Sequence, residues 1–244
     1  MQFSSFALMI SAIAAKARRP PRGEPPAIQA VDPVPRAGIA AAEFSRTFWA
    51  TRERDNPVYV NGYWAQRTHP LRDRIAETIA ELQPASVLEV GCHCGVNLWA
   101  IAQRSACCLK GVDVSEHVIA AGRELLASTV MPPPDLLVAG GDCLPFPDLS
   151  SAIVFSSGTL LCIGDAHIGQ TMREMARVAQ SHIVLFEPYP DAEKIDPYPN
   201  TTYWIRDYRP LLAECGFETV RCERLADAEC MGHINSVLVA RRSL

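Results

Sequence analysis

Residues 87–97 read VLEVGCHCGVN, an apolar run broken by Glu89 and followed by Gly91, Cys92, His93, Cys94 and Gly95. This is the pattern of a strand running into a glycine turn and then a helix. In an open α/β sheet such turns sit at the carboxyl ends of the strands, where ligands bind. Gly91 permits a sharp turn and close backbone approach to a ligand. Gly95 opens the helix, whose free N–H groups and dipole suit a carboxylate or phosphate. The dinucleotide fingerprint G-x-G-x-x-G would need its third glycine at residue 96, which is Val96, so a nicotinamide enzyme is disfavoured. What fits is Gly91, His93 and Gly95 in two-plus-two spacing, with Glu89 two residues ahead. Cys92, His93 and Cys94 invite a metal, but no second C-x-x-C or H-x-x-x-H pair completes a tetrahedral set. No metal is expected.

Hydrophobic periodicity places these residues. Short apolar strands are expected at Val87 to Val90, Cys108 to Asp113, Leu136 to Ala139, Ala152 to Ser156 and His182 to Glu187. Helices alternate with them at Val96 to Arg104, Ser115 to Ser128 (Ser115 as N-cap) and Ile168 to Ala179. Another runs from Arg206 to Cys215, ended by Gly216. Phe217 to Leu225 and Ile234 to Arg241 close the chain as two strands with no helix between them. The fold class is therefore α/β: a Rossmann-like three-layer sandwich with a mostly parallel seven-stranded sheet and an antiparallel last strand. Ahead of it, Phe44, Phe48 and Trp49 form a helical stripe, Tyr59, Tyr63 and Trp64 lie in a turn-rich stretch, and Leu71 to Leu82 is a helix ended by Pro84.

At the glycine turn the chain resembles the class I S-adenosylmethionine-dependent methyltransferases, whose first motif reads [DE]-x-G-x-G-x-G. Three further segments carry the resemblance at the expected distances. GVDVS (111–115) ends the second strand and places Asp113 22 residues after Gly91, where a carboxylate can accept both ribose hydroxyls. GDCLPFPD (141–148) is similar to the family's adenine-binding segment, which implies Asp142 and the backbone of Cys143. IVFSSGTL (153–160) is similar to the fourth strand and the loop under the transferred methyl, which brings in Ser157. The resemblance covers 71–241, including MREMARV (172–178) and HIVLFEP (182–188). It implies S-adenosyl-L-methionine as cofactor, held by Glu89, Gly91, Cys92, His93, Gly95, Asp113, Val114, Asp142, Cys143 and Ser157. The chain departs from the pattern at His93 (the middle glycine), at Ala152 in place of an acid, and at Leu161 and Cys162 in place of a His-containing exit.

Methyl transfer from a sulfonium is an in-line displacement by a donor already activated. Alignment can supply up to about 7–11 kcal/mol, and a general base is needed only where the nucleophile must lose a proton. Candidate bases are His167, Glu187 and Tyr189, with His233 a further one in the final hairpin. Each has a plainer reading as a loop or turn residue. Twelve of the 18 aromatics fall in 44–64 and 186–208. These segments are expected to form an apolar lid over the acceptor, with Tyr63, Trp64, Tyr189 and Tyr203 touching it. No [DN]-P-P-[FY] follows the fourth strand; the DPYP run at 196–199 comes after the fifth. A small-molecule acceptor with an oxygen nucleophile is the expected substrate. The alternative is a non-catalytic partner or scaffold that keeps the cofactor fold.

The 244 residues are 48% hydrophobic and 20% charged, with a formal charge of −4. That is enough chain for a full core, and it offers no broad basic footprint for nucleic acid. Three domain segments are expected: 1–40, a Pro- and Arg-rich disordered leader; 41–70, a cap; and 71–244, the methyltransferase domain. No apolar run reaches the roughly 20 residues of a membrane span. Phe6 to Ala15 lacks the preceding basic residue of a signal peptide. Nine irregularly spaced cysteines fit a reduced cytoplasm better than a disulfide framework. The sequence leaves the oligomeric state open.

Overall fold

The computed structural model describes residues 46–51, 57–189 and 203–243. The expected leader at 1–40, Phe44, the DPYP run and Tyr198 lie outside the described residues, as does the side chain of Tyr59. Residues 46–51 are helical. Helix α1 (Pro57–Ala65) and a 3₁₀ turn (Gln66–Thr68) lead into α2 (Pro70–Glu81). The following elements are β1 (Ser86–Val90), α3 (Val96–Ala102), β2 (Cys108–Asp113), α4 (Glu116–Ala127), β3 (Asp135–Val138) and β4 (Ser151–Ser157). A 3₁₀ turn (Leu160–Cys162), α5 (Asp165–Val178), β5 (Ala179–Glu187), α6 (Arg209–Glu214), β6 (Phe217–Arg224) and β7 (Ser236–Arg242) complete the chain.

The seven strands form one sheet in the order β3-β2-β1-β4-β5-β7-β6. Pairing is parallel from β3 across to β5, and β7 runs antiparallel to both β5 and β6. The order reverses between β1 and β4, so a ligand crevice is expected at the carboxyl ends of these two strands. Alternation decides which side each residue serves. Val87 packs into a core with Ile75, Ile79, Leu98 and Ile101 of α2 and α3. Leu88 and Val90 pack into the opposite core with Met172 and Met175 of α5.

Tyr63 and Trp64, expected in a turn-rich stretch, instead belong to helix α1. Pro57 opens it at a position that needs no N–H. Its aromatic and polar residues leave no apolar stripe, so periodicity could not reveal it. His69 caps α2, its Nδ1 accepting from the Leu71 N–H at 3.1 Å, with Pro70 at the first helical position. Ser115 caps α4 as expected, accepting from the Val118 N–H.

Candidate active site at the carboxyl ends of β1, β2 and β4

The turn after β1 is built as the glycines require. Gly91 has φ +76° and Gly95 φ +77°. A Cβ on Gly91 would fall 2.0 Å from Oγ1 of Thr159, so the loop after β4 rests directly on this turn. Thr159 also donates to the Gly91 carbonyl at 3.3 Å. His93 holds φ +51°, an uncommon value for a residue with a side chain. Its N–H donates to Oδ2 of Asp113 at 2.9 Å, and the Ser115 N–H donates to Oδ1 at 3.0 Å. Asp113 is thus aimed by two backbone bonds, one on each carboxylate oxygen.

Glu89 is fully buried one residue before the end of β1. Its Oε1 accepts from Nδ2 of Asn97 on α3. Oδ1 of that Asn97 accepts from the guanidinium of Arg72 at 2.7 Å. Arg72, also fully buried, lies with its guanidinium carbon 4.9 Å from the Tyr63 ring centroid and donates to the sulfur of Met231. Oε2 of Glu89 has no protein partner. Burial pushes the Glu89 carboxyl up to about 8, against the opposing pull of Asn97 and Arg72. A buried oxygen without a donor is costly unless a ligand supplies one. The Ser157 hydroxyl at the end of β4 is buried and likewise has no protein partner.

Asp142 is bound by Arg46 from the helical segment 46–51, and its carbonyl accepts from Gln170. The Cys143 N–H turns back to the Gly140 carbonyl at 3.2 Å and its side chain is exposed. Cys92 turns away from the crevice: its N–H bonds the Val112 carbonyl at 2.9 Å and its side chain lies against Gly111 and Leu98. Burial raises its thiol well above the usual range. Cys94 packs with Val60 and Val118. Val114 follows Asp113 in the turn before α4.

The Tyr63 ring lies 4.4 Å from that of His93, and Trp64 meets Trp99 edge-on at 6.2 Å. Tyr203 meets His233 at 5.0 Å. The Tyr189 N–H donates to Oδ1 of Asn235 at 2.6 Å, and Arg224 lies 4.4 Å over the Tyr189 ring. His167 sits in the first turn of α5, half-buried. Glu187, considered as a base, is fully buried and accepts from Ser156 Oγ and from the N–H groups of Thr159, Leu160 and Leu161. All its donors come from the protein, which fits an anchor better than a proton acceptor. Arg72, Asn97 and Thr159 escaped sequence reasoning. Arg72 looked like one charge on an amphipathic helix, and only the apolar residues around it signal that it is buried. Among the described residues, no group of three or more His, Cys, Asp or Glu is placed to hold a metal ion.

Residues 87–182 match the family model described as a methyltransferase domain, the segment that contains Glu89, the glycine turn, Asp113 and Asp142. No curated protein matches the chain. The fold is similar to that of magnesium protoporphyrin IX methyltransferase from Synechocystis PCC 6803, solved with bound SAM. That pair has TM-score 0.63 and 16% identity, over 86% of this chain and 100% of the other. It is similar also to the [4+2]-cyclase SpnF, with TM-score 0.59 and 18% identity over 70% of this chain and 81% of the other. A third similar structure is a putative O-methyltransferase from Nostoc punctiforme PCC 73102, with TM-score 0.59 and 16% identity over 83% and 72%. The sheet order and the turn after β1 define the class as a Rossmann-like methyltransferase fold. Residues 87–182 are thus similar to a methyltransferase domain, within a fold like that of a methyltransferase solved with bound SAM.

Proposed function

We propose that the protein transfers a methyl group from S-adenosylmethionine to an oxygen of a small-molecule acceptor. The observation that carries the cofactor assignment is the incomplete Glu89 carboxylate beside a glycine turn that fixes Asp113. Asp113, aimed by the N–H groups of His93 and Ser115, takes the ribose hydroxyls. Asp142 and the backbone at Val114 take the adenine, and Cys143 contributes through the turn its N–H closes on Gly140. Glu89 Oε2 accepts from the ammonium of the methionine end, and buried Arg72, beside Tyr63, balances its carboxylate. Gly91, His93 and Gly95 let the backbone approach, and Ser157 closes the end of β4. Cys92 contributes through the shape of the turn.

When bound, the cofactor supplies an activated methyl, so this chain's task is alignment and exclusion of water. Thr159, seated on Gly91, links the cofactor turn to the loop that faces the acceptor. Tyr63, Trp64, Tyr189 and Tyr203 are proposed to cover the acceptor, and His167 or His233 to accept its proton where one must leave. The segments 41–70 and 71–244 would act as cap and catalytic domain. Among the described residues no helix is long and apolar enough to cross a membrane, and no disulfide links any of the nine cysteines. A cytoplasmic enzyme with no nucleic-acid partner is the reading adopted.

A second reading is supported by the similarity to a structure named as a cyclase: the cofactor fold is kept and no methyl is transferred. Calorimetry with S-adenosylmethionine and with NAD tests the cofactor: the former should bind and the latter not. Release of S-adenosylhomocysteine on incubation with panels of hydroxylated small molecules then separates the two readings. Binding without release from any panel member favours the second.

A further inference from the structure

Glu187 stands at the end of β5 with its carboxylate at the start of the Leu160–Cys162 3₁₀ turn. Its Oε1 accepts from Ser156 Oγ at 3.1 Å, the Thr159 N–H at 3.1 Å and the Leu160 N–H at 3.0 Å. Its Oε2 accepts from the Leu161 N–H at 3.2 Å. The turn so held reaches two ways. Thr159 rests on Gly91 of the β1 turn. On the other side the Leu161 carbonyl accepts from the Trp204 N–H at 2.7 Å, and the Leu160 carbonyl from Arg206, which also pairs with Asp165 at 2.8 Å.

We propose that Glu187 is a positioning residue whose carboxylate sets the 158–162 turn and, through it, ties the cofactor turn at Gly91 to the chain at 203–206 that covers the acceptor. The claim deepens the proposed function and rests on it for what passes over the turn. The clamp itself does not depend on that reading.

The groups around Glu187 are few. On β4 its donor is Ser156; on β7 its register partner is Ser236, whose hydroxyl donates to the Glu187 carbonyl. From the 203–208 segment Tyr208 interacts with it, and Arg206 interacts in turn with Tyr208. Cys162 ends the turn itself and Asp165 opens α5 just after it. No cation is bonded to the carboxylate in this set, so burial dominates and holds its titration at about 7 despite the four donors. The sign follows from linkage. When the turn opens, water lowers the carboxyl toward its ordinary value of 4.5. Opening therefore releases a proton between these values, and the turn is held less tightly as pH rises toward and past 7.

Hydrogen exchange of the full chain, read by mass spectrometry and corrected for intrinsic rate, tests this. In Glu187→Ala, peptides over 158–163 and 203–208 should lose about tenfold or more of their protection, as expected for amides deprived of a buried acceptor. Peptides over β1 and β2 should be unchanged. In the wild type, protection of 158–163 should fall as pH rises from 5.5 to 8, and Glu187→Gln should remove that trend. Wild-type protection in the Ala variant, or equal loss across the whole sheet, overturns the proposal. Should the Ala variant not fold, the Gln comparison decides alone, and an unchanged pH trend in Glu187→Gln overturns it. Binding of S-adenosylhomocysteine to the same wild-type sample checks the proposed function separately, and its absence leaves the exchange result standing.

Discussion

Two buried carboxylates sit at the working edge of this sheet, and they are finished in different ways. Glu187 at the end of β5 has four donors, all from its own chain. Glu89 near the end of β1 has one donor, from Asn97, and an oxygen with none. Both are raised by burial, Glu187 to about 7 and Glu89 to about 8. A complete donor set marks a group that holds structure; an incomplete one marks a group that awaits a ligand. The same division separates the two ends of the crevice. Across β1 and β2 backbone groups aim Asp113 and a buried oxygen is left over at Glu89. Across β4 and β5 the polar groups are largely consumed by each other.

The largest expected effect separates the two acids. Glu89→Ala should weaken S-adenosylmethionine binding on the order of 100-fold, the scale of a buried charged hydrogen bond. Glu187→Ala should weaken it only about threefold, within what a loosened neighbouring loop costs. Calorimetry on both variants checks this, and similar losses in the two would break the comparison. Next, Asp113→Ala should cost about tenfold or more in the same titration. It also unties the His93 N–H, so Asp113→Asn, which keeps an acceptor, should fall between wild type and Ala.

Stability should carry the signature of both acids. Each is raised above its unfolded value of 4.5, so each contributes stability present below that value and lost as pH rises through about 7 for Glu187 and about 8 for Glu89. The melting temperature should therefore fall by a few degrees between pH 6.5 and 8.5, on the usual conversion of about 1 kcal/mol to a few degrees. Glu89→Gln and Glu187→Gln should each flatten part of that slope. The smallest effect is at the acceptor cover. Tyr63→Ala and Tyr203→Ala should raise the acceptor KM several-fold, the loss of one aromatic contact, with Tm little changed. Unchanged turnover in both would remove these rings from the acceptor site.

The glycine turn proposed to hold the cofactor was open to sequence reasoning because its residues are local. Glu89, Gly91, His93 and Gly95 lie within seven residues, and the positive φ at Gly91 and Gly95 is what glycine there predicts. The seven-stranded, mostly parallel sheet with its antiparallel β7 follows from alternating strands and helices that end in a strand pair, whereas the strand order does not. What stayed hidden is long-range. Arg72 reaches Asn97 across 25 residues, and Glu187 reaches Thr159 across 28. No spacing rule announces such pairs. Helix α1 was missed for a different reason: apolar and aromatic residues are spread along PVYVNGYWA with no apolar stripe to mark a helix. Cys92 and Cys143 show the limit of motif transfer. One is spent on the core, and the backbone N–H of the other on its own turn.

The most direct test is the pH dependence of S-adenosylmethionine affinity in the wild type and in Glu89→Gln. A ligand ammonium needs the ionised carboxylate, and in the free protein Glu89 titrates at about 8. Below that value binding must first expel a proton. Wild-type affinity should therefore rise up to about tenfold per pH unit between pH 6 and 7.5. Glu89→Gln should bind more weakly and with no such rise. A wild-type affinity that is flat across this range, or absent at millimolar ligand, would contradict the account.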